Sequence, residues 1–563
     1  MKELITGAEA LMRSLMNEGV DTIFGYPGGS IMPVFDTLFD HREDFRQVLV
    51  RHEQGAAHAA QGYARSSGKV GVCIVTSGPG ATNTLTGISD AMLDSTPIVV
   101  IAGQVPSSVL GTDAFQEIDL VGVTQPISKW CYQIRRAEDI AWAVARAFYI
   151  ARSGRPGPVV LDFTKNAQVS RVAYEPETAS CVRSYVPYPK PDKEAIRNAA
   201  ELISRAQRPF ALVGQGVELG KAHEELKAFL EKGNIPAGRT LLGLSALPSG
   251  HPLCVGMLGM HGNLSCNMNT NQCDVLIAIG MRFSDRVTGD LARYAKQAKV
   301  IHLDVDRAEI DKCVKADIPV IGDCKETLPL LTEYLEEGNH KEWIDSFAEY
   351  DAIEYDKVIN KALNTKEGPL KMGEVARRVS EATNNSAVLV TDVGQNQMMS
   401  CRYFKFTQPH SVLTSGGLGT MGYGLPAAVG ATIAVPHRTV CVFMGDGGFQ
   451  MNIQELGTIM EQRLPVKMIL LNNNYLGNVR QWQEMFFNHR YSFTPMRNPD
   501  YNMIAQAYGI PSRLVTERAE LDAAIREMLD TPGAFLLHVI VENEENVMPM
   551  VPPGSSITEM VLE

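Results

Sequence analysis

The residue types best suited to chemistry lie between Val440 and Asn474, in the stretch VCVFMGDGGFQMNIQELGTIMEQRLPVKMILLNNN. Asp446 and Asn473 stand twenty-seven positions apart, each just beyond an apolar run, Val440 to Met444 and Val466 to Leu471. Both offer hard oxygen ligands of the kind a magnesium ion takes in small number, leaving its other positions to substrate phosphates. Gly445, Gly447 and Gly448 flank the acid, and glycines there let backbone amides and a helix N-terminus approach an anion. Two strands joined by a helix make a βαβ unit, in which ligands collect beyond the carboxyl ends of the strands. The spacing therefore predicts that Asp446 and Asn473 project toward one point, as a metal-diphosphate site requires.

Such a site needs parallel sheets to hold it. A chain of 563 residues is long enough for three or four domains of about 100–200 residues each. Three α/β blocks separate along it, and the fold expected is α/β with three doubly wound parallel-sheet domains. The first, residues 1–175, carries apolar runs Val70 to Val75, Ile98 to Ala102 and Val159 to Phe163, each followed by turn residues. A proline-dotted passage from Tyr174 to Lys193 has linker composition. The second block, 190–340, has runs Phe210 to Val213, Val275 to Ile279, Val300 to Asp304 and Ile318 to Ile321. A charged helical stretch, Glu326 to Lys361, leads to the third block, 370–563. Thr76 to Gly80 and Thr414 to Gly417 each read Thr-Ser-Gly after a strand, a weak sign that blocks one and three share an architecture.

Composition narrows the partners. A net charge of −12 argues against nucleic acid and against an anionic membrane surface, both of which select basic patches. Ten cysteines scattered without a CxxC pair fit reduced core thiols and a cytoplasmic enzyme. The opening MKELITGAEALMRSLMNEGV reads as an amphipathic helix without the apolar core of a signal peptide, and no apolar run reaches the ~20 residues of a membrane span.

The GDG followed by NN resembles the thiamin diphosphate signature. That cofactor must be protonated on its aminopyrimidine ring before it can lose a proton from its thiazolium carbon, so a positioned carboxyl group is needed as well. Glu53 fits: it follows the short apolar run Val48 to Val50 and opens a helix of small residues, RHEQGAAHAAQGYAR, that permits close packing under a ring. With Glu53 in block one and Asp446 in block three, the cofactor would lie between two domains, which can come from different subunits.

Four further stretches, FGYPGGSIMPVFD (Phe24 to Asp36), GTDAFQE (Gly111 to Glu117), TSGGLGTMGYGLPAA (Thr414 to Ala428) and MPMVPPG (Met548 to Gly554), resemble the catalytic subunit family of acetohydroxyacid synthase, also called acetolactate synthase. The likeness runs from end to end. It implies that Glu53 is the cofactor-activating acid, that Gln116, Phe115 and Lys165 serve catalysis, and that Met421 props thiamin diphosphate into a bent shape. Pro27, Gly28, Gln395, Gly419, Gly445, Gly447 and Gly448 would join Met421 around that cofactor. Asp446 and Asn473 would hold Mg2+ together with the backbone carbonyl of Tyr475. Gly29, Arg286 and Trp482 would meet the substrates, pyruvate and 2-oxobutanoate.

The middle block carries GQG (Gly214 to Gly216), LGMHG (Leu258 to Gly262), GMRFSDR (Gly280 to Arg286) and LDVD (Leu303 to Asp306) at or near strand ends. Four such segments in one parallel sheet suggest an extended dinucleotide, with glycines admitting the pyrophosphate and an acid suited to ribose hydroxyls. The resemblance makes it FAD, structural in the main reaction, with Gly214, Gly216, Leu258, Met260, His261, Gly280, Arg282, Asp285, Arg286, Asp304, Asp306 and Asp323 around it. Arg286, beside Asp285, would pair with the carboxylate of the second oxo acid.

The same resemblance implies a homo-oligomer with active sites at its interfaces, a small regulatory subunit, and a place at the first common step of branched-chain amino-acid biosynthesis. The chain departs from common family patterns at Ser284, at Thr164 and Asn166 around Lys165, at Asn396, and at Asn478 where many relatives carry methionine. These departures fall on inhibitor contacts and cofactor packing, while the expected metal ligands, Glu53 and Gln116 are present. An FAD-dependent pyruvate oxidase and a catabolic acetolactate synthase remain as alternatives. The first should lack GTDAFQE together with TSGGLGTMG, and the second should lack the FAD segments.

Overall fold

The computed structural model describes residues 3–563. Its frame is three six-stranded sheets, each wholly parallel. Runs such as GVCIV (Gly71–Val75) and VLIAI (Val275–Ile279) are buried along their whole length, as strands covered by helices on both faces must be.

The first sheet runs in the order Arg46–Leu49, Thr22–Gly25, Gly71–Val75, Ile98–Gln104, Val159–Thr164, Trp130–Ile134. The third runs Val412–Leu413, Val388–Thr391, Val440–Gly445, Lys467–Asn472, Phe535–Ile540, Ser512–Val515. Numbered along the chain within each sheet, both read second, first, third, fourth, sixth, fifth, so the echo between the two blocks is one of topology. The middle sheet runs Cys254–Met257, Ala237–Arg239, Pro209–Val213, Val275–Ile279, Lys299–Asp304, Ile318–Ile321. That is the dinucleotide-binding order, third-second-first-fourth-fifth-sixth, with its crevice between Pro209–Val213 and Val275–Ile279.

The first and third sheets share one apolar core. Ala56, Ala60 and Val75 cluster with Val390, Leu425, Val442 and Met468. The contact is made by the helices Glu53–Ser67 and Gly424–Ala434, whose backbones touch. A Cβ on Gly62 would lie 2.0 Å from the Ala427 carbonyl oxygen, and one on Gly430 would lie 1.8 Å from that of Ala59. The middle sheet keeps separate clusters, one of which takes in Ile557 from the C-terminal tail.

The charged passage after the middle sheet is helical in pieces: Cys324–Tyr334, Lys341–Asp345 and Phe347–Glu354, then a wide turn at Tyr355–Ile359 and Asn360–Leu363. The first break falls where Gly338 crosses Gly233, so close that a Cβ would sit 2.0 Å from the Gly233 carbonyl oxygen. The passage of linker composition is pinned by Tyr185, whose hydroxyl donates to the Ser153 carbonyl at 2.8 Å and accepts from Lys129 Nζ at 3.0 Å.

Candidate active site

In the third sheet, Val440–Gly445 pairs directly with Lys467–Asn472, which brings the two chemical strand ends side by side. Asp446 is 1 % exposed at the start of the helix Asp446–Met451. Burial pushes its carboxyl up to about 6 against the hydrogen bond from Asn498. Asn498 Nδ2 reaches Asp446 Oδ2 at 2.6 Å and the side-chain oxygens of Asn472 and Asn474 at 3.1 Å each. Asn473 has partners of its own: its Oδ1 accepts from Tyr475 N at 3.2 Å and its Nδ2 donates to Gln395 Oε1 at 3.2 Å. Asp446, the Asn472-to-Tyr475 loop, Gln395 and Asn498 therefore make one tract. Nothing in the local sequence pattern of Asn498 ties it to Asp446.

The glycines open room beside the acid. A Cβ on Gly447 would meet Leu476 Cδ2 at 2.6 Å and Met421 Cε at 3.5 Å, and one on Gly448 would meet Asp392 Oδ1 at 2.2 Å. Asp392, beyond the neighbouring strand Val388–Thr391, accepts the backbone N–H groups of Gly422 (3.0 Å), Gly424 (2.9 Å) and Val393 (2.8 Å), and so fixes the loop that bears Met421. Asn396 has both amide atoms buried without a partner, and its Nδ2 is 3.6 Å from where a Gly445 Cβ would be. A buried amide that lacks a partner at the mouth of this strand is a donor waiting for an anion, and with the Asp446 carboxylate and the asparagine oxygens it fits a metal-bridged diphosphate.

The corresponding crevice of the first sheet holds the Glu53 group. Asn83 Nδ2 donates to Glu53 Oε2 at 2.9 Å, and Glu53 Oε1 is 3.4 Å from a Cβ built on Gly80. Gly78, at φ +56°, lets the Gln116 backbone pass; a Cβ there would lie 2.9 Å from Gln116 Cα. Gln116 is itself in the left-handed region at φ +62°, and Glu117 braces the loop by accepting from Ala114 N at 3.0 Å and from Gly111 N. Gly28 lies against Thr76, and Lys165 Nζ donates to the Gly29 carbonyl at 3.3 Å. Pro27 is exposed beside them, and Phe115 is 89 % exposed on the same loop as Gln116. Among the described residues, no hydrogen bond or ion pair joins this group to the Asp446 tract. The helix bearing Glu53 nevertheless rests on the third block: Glu455 Oε1 accepts from Arg51 N at 2.9 Å and His52 N at 3.1 Å.

The middle sheet opens onto a cavity of about 760 Å3 between all three blocks. It collects Gly216, Leu258, Met260, His261, Gly280, Arg282, Asp285, Arg286, Asp304 and Asp323, and also Gly419, Asn478 and Trp482. At its floor Gly280, at φ +56°, meets Gly216 so closely that a Cβ on Gly216 would lie 2.6 Å from Gly280 Cα. Gly214 packs behind them, where a Cβ would be 2.2 Å from the Gly280 carbonyl oxygen. Two of the expected residues, Gly214 and Asp306, fall outside the lining. Asp306 donates its N–H to Asp304 Oδ1 at 2.8 Å, while burial pushes the Asp304 carboxyl up to about 6. Arg286 pairs with Asp285 at 3.0 Å. The wall from Ser415 to Gly419 is held by the first block, since Asp94 accepts from Gly416 N at 2.8 Å and Gly417 N at 2.7 Å, and Asp90 accepts from Thr420 Oγ1 at 3.1 Å. A long, glycine-floored crevice with a buried acid at its side has the shape and donor set for a dinucleotide.

Three family models divide the chain. Residues 5–123 match "Thiamine pyrophosphate enzyme, N-terminal TPP binding domain", 196–331 match the central domain and 392–539 the C-terminal TPP binding domain of the same enzymes. The class is thus that of the three-domain thiamine pyrophosphate enzymes. The large subunit of acetolactate synthase isozyme 2 from Escherichia coli is 44 % identical over 558 residues, covering 99 % of each chain. A probable acetolactate synthase large subunit from Methanocaldococcus jannaschii is 43 % identical over 99 % of this chain and 95 % of its own, and acetolactate synthase 2 of Nicotiana tabacum, chloroplastic, is 44 % identical over 99 % and 85 %. Within the class, this chain belongs to the acetolactate synthase large-subunit family. No helix among the described residues is long and apolar enough to cross a membrane.

Proposed function

We propose that the chain is an acetolactate synthase that decarboxylates pyruvate and joins the resulting two-carbon unit to a second pyruvate or to 2-oxobutanoate, the first common step toward the branched-chain amino acids. The observation that carries this reading is the end-to-end likeness to acetolactate synthase large subunits, supported by Asn83 holding Glu53 and Asn498 holding Asp446. Thiamin diphosphate, when bound, supplies the electron sink for the decarboxylation.

The protein's own residues do the rest. Glu53 holds a proton at its carboxyl group for the aminopyrimidine, with Asn83 keeping the carboxyl in one orientation. Asp446, Asn473 and the Tyr475 carbonyl hold Mg2+, and Asn396 meets the diphosphate. Pro27, Gly28, Gln395, Gly419, Gly445, Gly447 and Gly448 surround the cofactor, and Met421 shapes it. Gln116, Phe115, Lys165 and Gly29 border the reacting groups. Arg286 receives the acceptor carboxylate, and Trp482 packs against its alkyl tail.

The middle block, 190–340, holds FAD through the residues around the 760 Å3 cavity, between a pyrimidine-binding block at 1–175 and a diphosphate-binding block at 370–563. The relatives' names as large subunits favour a small regulatory partner, and the lack, among the described residues, of a hydrogen bond or ion pair between the Glu53 group and the Asp446 tract favours a homo-oligomer that completes the site across subunits. The location assigned is the cytoplasm. One assay tests the reading: pyruvate with thiamin diphosphate, Mg2+ and FAD, scored for acetolactate, acetaldehyde and oxygen uptake. Acetolactate as the main product is expected; oxygen consumption matched to pyruvate loss would make the protein a pyruvate oxidase.

A further inference from the structure

Beside the middle cavity but outside its lining, two imidazoles and one carboxylate converge. Glu218 lies on the short helix Gly216–Leu219, His223 begins the helix His223–Gly233, and His410 comes from the loop before strand Val412–Leu413. Glu218 Oε2 is 2.9 Å from His223 Nε2 and 3.3 Å from His410 Nδ1, and the three ligand atoms all lie within 4.8 Å of one another. Zinc bonds of about 2.0–2.1 Å to nitrogen and oxygen place tetrahedral ligands about 3.3 Å apart, so these contacts are already near the edges of a coordination shell.

The surroundings are built for a fixed carboxylate. Ser245 Oγ donates to the other oxygen, Glu218 Oε1, at 2.6 Å, which leaves Oε2 turned to the imidazoles. His410 N also donates to Oε2 at 3.0 Å and holds the loop, at φ +51°, in place. The Glu218 side chain is 7 % exposed, while His223 and His410 are 18 % and 30 % exposed, so the carboxylate is anchored and the imidazole side remains open to an entering ion and a water ligand.

We infer that Glu218, His223 and His410 form a zinc site, with water in the fourth position, that ties the middle block to the third. Two imidazoles with a carboxylate suit zinc among the available divalent ions better than magnesium, which prefers oxygen ligands. The site is distinct from the proposed Mg2+ ligands, and it shares the helix Gly216–Leu219 with the floor of the dinucleotide cavity.

The test uses the full chain with thiamin diphosphate and excess Mg2+, titrated with Zn2+ by equilibrium dialysis and, separately, with Co2+ followed by visible absorption. Wild type should bind one Zn2+ per chain more than the His223→Ala/His410→Ala variant, and its Co2+ form should show an intense tetrahedral band that the variant lacks. Ser245→Ala, which frees the carboxylate while leaving all three ligands in place, should weaken Zn2+ binding by about 10–100-fold. His410→Gln, a single change at a partly exposed residue, serves if the double variant does not fold. Equal zinc stoichiometry in wild type and a folded histidine variant, or a Co2+ spectrum unchanged by the substitution, would reduce the cluster to hydrogen bonding alone and overturn the inference.

Discussion

Replacing Asn498 by alanine should weaken the magnesium-dependent binding of thiamin diphosphate without unfolding the protein. Asn498 Nδ2 spans Asp446 Oδ2 at 2.6 Å and the Asn472 and Asn474 oxygens at 3.1 Å. A hydrogen bond to a charged group contributes about 1.5–3 kcal/mol, which at about 1.4 kcal/mol per tenfold is a loss of roughly 10–100-fold in affinity. Outer-shell partners of metal ligands cost about 10–100-fold when removed, the same range reached independently.

The pH dependence carries a second signature. Burial raises the Asp446 carboxyl to about 6, and the Asn498 hydrogen bond works against that rise. A proton on Asp446 competes with Mg2+, so affinity is full above the carboxyl's pKa and falls as pH drops through it, by about tenfold per unit for one competing proton. In wild type the fall should begin near pH 6, and without Asn498 it should begin at higher pH. Half-saturation by Mg2+ at fixed thiamin diphosphate, followed by direct cofactor binding on both sides of that pH, measures both effects. A folded Asn498→Ala protein with the same half-saturation and the same pH midpoint would refute the reasoning.

Glu53→Gln keeps the Asn83 contact but removes the acid; cofactor binding should persist while exchange of the thiazolium proton and acetolactate formation fall by about 10²–10⁴-fold, and near-normal exchange by NMR would remove Glu53 from that role. Trp482→Leu should leave acetolactate formation largely intact and cut the preference for 2-oxobutanoate over pyruvate by at least about tenfold, since one methylene is worth about 1–3 kcal/mol in an apolar pocket. Product ratios from both acceptors in competition decide that point, and an unchanged ratio excludes the indole. Gly430→Ala would drive a Cβ to 1.8 Å from the Ala59 carbonyl oxygen; separating the two helices should cost about 1–3 kcal/mol, read as a lower unfolding midpoint, and an unaltered midpoint would show that the helix contact yields freely.

Much of the molecule was legible in the chain because a buried parallel strand must be apolar along its length and its ligand-binding end must be marked by glycine and polar residues. Val440–Gly445, Lys467–Asn472, Val275–Ile279 and Lys299–Asp304 all announce themselves in this way, and so the Asp446 loop and the glycines of the middle crevice can be read without coordinates. Ala237–Arg239 cannot: three residues, AGR, have no periodicity, and the neighbouring strands impose the extended form. The shared core of the first and third sheets was equally hidden, because it depends on Gly62 and Gly430 meeting carbonyl oxygens of a helix several hundred residues away. Asn498, Asp392, Asp90 and Asp94 belong to the same class: their type is ordinary for a loop or a helix, and their importance lies in which backbone N–H, hydroxyl or carboxylate the fold brings to them. Local sequence specifies which segments can become strands and which loops can carry chemistry; tertiary packing alone selects the long-range partners, since a hydrogen bond between distant residues leaves no spacing in the chain.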